Sequence, residues 1–169
     1  MNYIAAALSL VLVARPAFAQ TAWDLGKAVA GKAATGSLEK QVNKILLNES
    51  RKNQCSFKTD SDELAPGCDD KARKLAAALI DAKKKLNGAG VENFKFEVSG
   101  HTDTSGVAAH NKELSSKRAD AIKRELVKKG IPEGEIITVG KGSQSPLVKP
   151  DDTPAKKAKN RRYEIRVRL

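Results

Sequence analysis

The sequence predicts an α+β domain of order β-α-β-α-β-(loop/short helix)-β, with helices packed on one face of a mixed four-stranded sheet. Three observations predict it. Residues 94–98 and 163–169 alternate apolar with charged side chains, the period of a half-buried strand. Residues 69–87 place Ala and Leu at helical intervals instead. Glycine and proline clusters at 66–67, 88–90, 130–132 and 140–142 separate these segments and fix their order.

A short strand is predicted at 54–57, followed by the polar loop 58–64 and a turn at Pro66-Gly67. In the helix over 69–87, Ala72, Leu75, Ala76, Leu79, Ile80 and Leu86 form one stripe. Acids open that helix and Lys83, Lys84 and Lys85 close it, as the helix dipole favours, and Gly88 and Gly90 stop it. The second strand, 94–99, ends at Gly100. A second helix is predicted from about 114 or 115 to 129, with Ala119, Ile122 and Leu126 inward and Gly130-Ile131-Pro132 as its stop. Residues 135–140 read as the third strand. The proline-bearing stretch 143–160 reads as a long loop with a helical turn at 155–159, and the last strand presents Tyr163, Ile165, Val167 and Leu169 on its apolar face.

Ahead of this domain, predicted to span 54–169, lie two further segments. Residues 1–19 have the character of an export signal: an apolar run at 4–13 and the small-x-small pattern Ala17-Phe18-Ala19 just before Gln20. That run is far shorter than the roughly 20 residues a bilayer span requires. Residues 20–53 form a polar lead-in, within which 38–47 reads as an amphipathic helix, able to pack on the domain or to reach a partner. The mature chain is expected outside the cytoplasm, where Cys55 and Cys68 meet an oxidising environment and form a structural disulfide. Closing a loop of that size contributes about 3 kcal/mol in the chain-entropy model.

The chain has 169 residues, 40% of them hydrophobic and 4% aromatic, with a formal net charge of +11. So few aromatic residues argue against a nucleic-acid surface, where rings supply stacking platforms. The positive charge instead attracts acidic polymers such as cell-wall peptides or lipid head groups. Cys55 and Cys68 lack the C-x-x-C spacing of a redox pair, and His101 and His110 give no zinc spacing, so neither metal nor cofactor is expected. Gly26, Gly31 and Lys32 imitate a phosphate loop but Ala33 stands where Ser or Thr must hold magnesium, and no strand precedes them. No nucleophile and base stand together, so an enzyme is not expected.

One pair of residues carries the functional signal. Asp103 falls at the end of the second strand and Arg118, fifteen residues on, in the first turns of the following helix. A carboxylate and a guanidinium converging there suit a ligand bearing both an ammonium and a carboxylate. On spacing alone, a structural ion pair fits equally well.

The surrounding residues resemble a known family. Gly100-His101-Thr102-Asp103, Gly106, Asn111, Leu114-Ser115, Arg118-Ala119, Gly140-x-Gly142, Pro146 and Asn160-Arg161-Arg162 are similar to the OmpA-like C-terminal domain, the peptidoglycan-associating module of Gram-negative envelopes. The resemblance implies binding of peptidoglycan through the diaminopimelate residue of its stem peptide. It implies that Asp103 takes the ammonium and Arg118 a carboxylate, and that Thr59, Asp60, Thr102, Thr104 and Leu114 line the same crevice. Arg162 is implied to close the site or to pair with acids, Asn111 to fix the loop and Ser115 to cap the helix. It implies a free-standing member without barrel or lipid anchor, exported to the periplasm and associated with cell wall or outer membrane. The competing expectation is an envelope protein that holds another protein through its basic surface or through 38–47.

Overall fold

A computed structural model describes residues 17–169, with side chains from residue 34 onward. Most of the expected export signal, 1–16, lies outside the described residues. Helix α1 runs Ala17–Lys52, and from Thr35 on its residues belong to the compact unit that holds the rest of the chain. Within that unit follow α2 (Cys68–Gly88), β1 (Lys95–Gly100), α3 (Ala108–Lys128), β2 (Ile136–Gly140), α4 (Pro154–Asn160) and β3 (Tyr163–Arg168).

The sheet has three strands in the order β2-β1-β3, not four. β1 runs parallel to β2, pairing Phe96 with Ile136 and Gly100 with Gly140, and antiparallel to β3, pairing Val98 with Ile165. The strand expected at 54–57 is reduced to one antiparallel bridge, Phe57 to Leu64, inside its own loop. Side chains occupy the place beside β3 that this strand would have filled. The Gln54 carboxamide donates to the Tyr163 carbonyl at 2.8 Å and accepts the Tyr163 N–H at 3.1 Å. Eleven residues before it, in α1, the Asn43 carboxamide does the same for Val167, at 3.3 and 2.7 Å. Two amide side chains thus satisfy backbone groups that a fourth strand would otherwise pair.

The core lies between this sheet and the helices. α2 contributes Ala72, Leu75, Ala76, Leu79, Ala82 and Leu86, α3 Ala119, Ile122 and Leu126, and α1 Val42 and Leu46. Phe96, Val98, Tyr163, Ile165 and Val167 meet them from the strands. Two expected core residues are outside it: Ile80 is 39% exposed, its role taken by Ala82, and Leu169, beyond the last paired residue, is 47% exposed. The expected disulfide joins Cys55 to Cys68 and ties the end of the α1 connection to the start of α2.

Helix α3 begins six residues earlier than its apolar periodicity suggests, at Ala108. Its first turns bury Asn111 and Ser115 rather than apolar groups, so no hydrophobic stripe marks them. The helix lies directly on the strand ends. A Cβ at Gly100 would run into the Ser115 backbone and one at Gly140 into the backbone of Lys112 and Ser116, so only glycine permits this approach.

Candidate functional site

Close seating of α3 on the sheet brings three segments together at one end of the strands. The β1–α3 loop supplies Thr102, Asp103, Ser105 and Gly106; α3 supplies His110, Asn111, Leu114 and Arg118; the first loop supplies Phe57, Lys58, Thr59 and Asp60. Arg161, just past α4, completes a crevice of about 640 Å³. The first loop is held onto α3 by three contacts. Arg118 Nε donates to the Ser61 carbonyl at 2.9 Å, Arg124 reaches Asp62 at 3.2 Å, and His110 Nε2 lies 2.7 Å from Asp60 Oδ1. Asp60 adopts a left-handed φ of 50°, which turns the loop back toward the helix.

Asp103 and Arg118 both line this crevice, yet they are not each other's ion-pair partner. Asp103 Oδ2 accepts from Arg161 Nη1 at 2.8 Å and Oδ1 accepts the Ser105 N–H at 2.9 Å. Burial raises the Asp103 pKa, but the bonds from Arg161 and Ser105 outweigh it and hold the carboxyl below its ordinary value. It is therefore ionised at neutral pH.

Arg118 sits in the third turn of α3, not in the first turns, and is nine-tenths buried. Its guanidinium lies 5.0 Å from the Phe57 ring centroid and is anchored through Nε, while Nη1 and Nη2 make no hydrogen bond among the described residues. Burial first, then the charge of Arg161, pull its pKa below the usual guanidinium value, with Asp60 and Asp103 acting against them. The result is a cation oriented by stacking, desolvated, and with two donor nitrogens to offer. Such a fork matches a carboxylate. Nearby Thr102 Oγ1 is buried and has no hydrogen-bond partner among the described residues.

Of the residues singled out from sequence, Asp103, Arg118, Asp60, Thr59, Thr102 and Leu114 converge on the crevice. Thr104 does not: its N–H and hydroxyl both donate to Asp151, whose pKa falls to about 2 through these bonds and one from Asn160. Arg162 does not either. Its side chain is on the same strand side as Glu164, which it contacts at 2.9 Å, and it donates to the Ser145 carbonyl at 3.1 Å. Ser115 is no helix cap. Its hydroxyl donates to Lys112 O and accepts the Gly142 N–H, tying α3 to the loop after β2, while the N-cap position is Val107. Asn111 holds the β1–α3 loop by donating to the Ser105 carbonyl at 2.8 Å.

Arg161, Phe57, Lys58 and His110 were not singled out from sequence. For Arg161 the signal was present. It is the middle residue of the Asn160-Arg161-Arg162 run that carries part of the family resemblance. Among the described residues, no group of three or more His, Cys, Asp or Glu side chains is placed to hold a metal ion, and no helix is long and apolar enough to cross a membrane.

Residues 56–161 match the OmpA family. Outer membrane porin F of Pseudomonas fluorescens is 46% identical over 71 residues, 42% of this chain and 22% of that protein. The peptidoglycan-binding protein ArfA of Mycobacterium bovis is 41% identical over 95 residues, 53% of this chain and 29% of that protein. The chain thus spans less than a third of the length of these relatives. Among solved structures, the C-terminal domain of Helicobacter pylori MotB superposes with a TM-score of 0.55 at 21% identity, over 69% of this chain and 84% of that one. The peptidoglycan-associated lipoprotein from Burkholderia pseudomallei gives 0.53 at 22% identity, over 68% and 87%. These two share the fold.

Proposed function

This chain belongs to the OmpA family, and on that premise we propose that it is a non-catalytic module that binds peptidoglycan through the diaminopimelate residue of the stem peptide, tethering or organising the cell envelope. The observation that carries this reading is the half-engaged guanidinium of Arg118, with free Nη1 and Nη2, in one crevice with the ionised Asp103. The free end of diaminopimelate carries an ammonium and a carboxylate on one carbon. The carboxylate meets the Arg118 fork, and the ammonium meets Asp103, sharing or displacing the contact from Arg161. Thr102 Oγ1, Thr59 and the Asp60 loop border the same space. Similarity to a protein named for binding peptidoglycan supports the assignment.

The competing role for 38–47 as a partner-binding helix has less support, because Val42 and Leu46 are spent in the core. We place the protein in the periplasm, associated with the wall or the outer membrane, after removal of residues 1–19; N-terminal sequencing of the mature chain is expected to begin at Gln20. Co-sedimentation with purified peptidoglycan tests the binding. Free diaminopimelate is expected to compete, and D103A and R118A each to lose roughly ten- to a hundredfold in retention, the equivalent of one charge-assisted contact. Unchanged retention in both variants would overturn the proposal.

A further inference from the structure

Behind the Phe57–Arg118–Arg161 wall of the crevice lies a second cavity of about 510 Å³. Arg51, Arg118, Lys159, Arg161 and Arg162 all line it, and no Asp or Glu does. Five cations on one concave surface repel one another unless something negative lies among them. The protein supplies only part of that charge. Glu164, outside the lining, pairs with Arg51 at 3.3 Å and Arg162 at 2.9 Å, and Asp103 takes Arg161 from the crevice side. Lys159 is exposed and forms no ion pair among the described residues. His101 is also part of the lining. It is 4% exposed, its Nδ1 has no hydrogen-bond partner among the described residues, and its Nε2 lies 3.4 Å from Ser99 Oγ.

We propose that this cavity is a second anion site, which takes an oxyanion, a carboxylate or a phosphate, between Lys159, Arg51 and the shared Arg118–Arg161 wall. Low-dielectric walls focus the field of the lining cations and raise the local concentration of a small anion. Because Arg118 and Arg161 border both spaces, one ligand can reach across them. With stem peptide in the crevice, which rests on the function proposed above, the occupant is the next carboxylate along that peptide. The other source of the same chemistry is the phosphate of an anionic lipid.

His101 is a built-in reporter. Burial, and next the charge of Arg162, push its pKa down to about 4. An anion among the arginines opposes the second effect, so it raises the titration midpoint of the ring. Nuclear magnetic resonance of the His101 ring in the whole chain, titrated with inorganic phosphate and separately with acetate, is expected to show a saturable shift and a higher midpoint. The doubly substituted K159A/R51Q chain is expected to need roughly tenfold more anion. Absence of saturation in the parent, or equal saturation in both chains, would overturn the site.

Two further arms separate the sources. Reduced retention of K159A/R51Q on purified peptidoglycan assigns the cell-wall carboxylate, and reduced binding to phosphatidylglycerol vesicles assigns the lipid phosphate. If neither falls, a polymer or membrane occupant is overturned. The two readings fail separately: D103A is expected to lose diaminopimelate binding while keeping the phosphate shift at His101, and K159A/R51Q the reverse.

Discussion

Arg161 and Arg162 are adjacent in the chain, and each grips a carboxylate, but the two pairs belong to different regions and differ in consequence. The Arg161 side chain is 45% exposed and holds Asp103 on the rim of an open crevice. Arg162 is 6% exposed and holds Glu164, itself 5% exposed, inside the fold. Glu164 also draws Arg51 and Arg166, both at 3.3 Å. Burial raises the Glu164 pKa, and these arginines more than reverse it, bringing it to about 2. The same ion-pair chemistry is exchangeable where water reaches it and structural where water does not.

The sharpest break in that comparison is R162A. Removing one member of a buried pair leaves a desolvated charge, and the expected loss is about 3 kcal/mol or more of unfolding free energy in urea titration. A loss below about 1 kcal/mol would mean that Arg51 and Arg166 already satisfy Glu164.

Acid tests the buried region next. The folded pKa of His101 lies below its unfolded value of 6.5, so the unfolded chain takes up the proton first. Stability is full above pH 6.5 and falls progressively as pH drops toward about 4, by as much as about 3 kcal/mol. Glu164 adds a second loss, beginning near its unfolded value of 4.5 and continuing down to about 2. H101Q is expected to flatten the first limb of a urea-midpoint profile against pH and leave the second. An unchanged first limb would assign it to other groups.

The rim is expected to show the opposite pattern. D103N costs less than about 1 kcal/mol in stability, since its partner keeps its hydration, yet it lowers retention on peptidoglycan roughly ten- to a hundredfold. The smallest effect is that of R161Q. It removes the cation that competes for Asp103, and an exposed pair of this kind is worth about 0.2–1 kcal/mol. Calorimetry with free diaminopimelate is therefore expected to show affinity raised by at most about fivefold. A large fall would instead make Arg161 a ligand contact.

The helices and strands that carry the core were legible in the sequence because their hydrophobic period is strong, as in α2 and β3. The start of α3 was not, because its buried side chains there are Asn111 and Ser115. Nor was the loss of the first strand: residues 54–57 have acceptable strand character, and it is the amide of Gln54, a side-chain detail, that meets β3. In the site, Asp103 and Arg118 were legible as a pair converging on one crevice. Their actual partners, Arg161 and the Ser61 carbonyl, depend on how residues distant in sequence meet, which spacing does not encode.

The carboxamides of Asn43 and Gln54 have a consequence for how copies of this protein coexist at high concentration. A bare outer strand is a template on which another chain can extend the sheet, and from there polymerise. Here the Tyr163 and Val167 backbone groups on the outer edge of β3 are already engaged, by side chains rather than by a neighbouring strand, so that edge is blunted. An amide that pairs with one residue at a time terminates the template without itself presenting a new one.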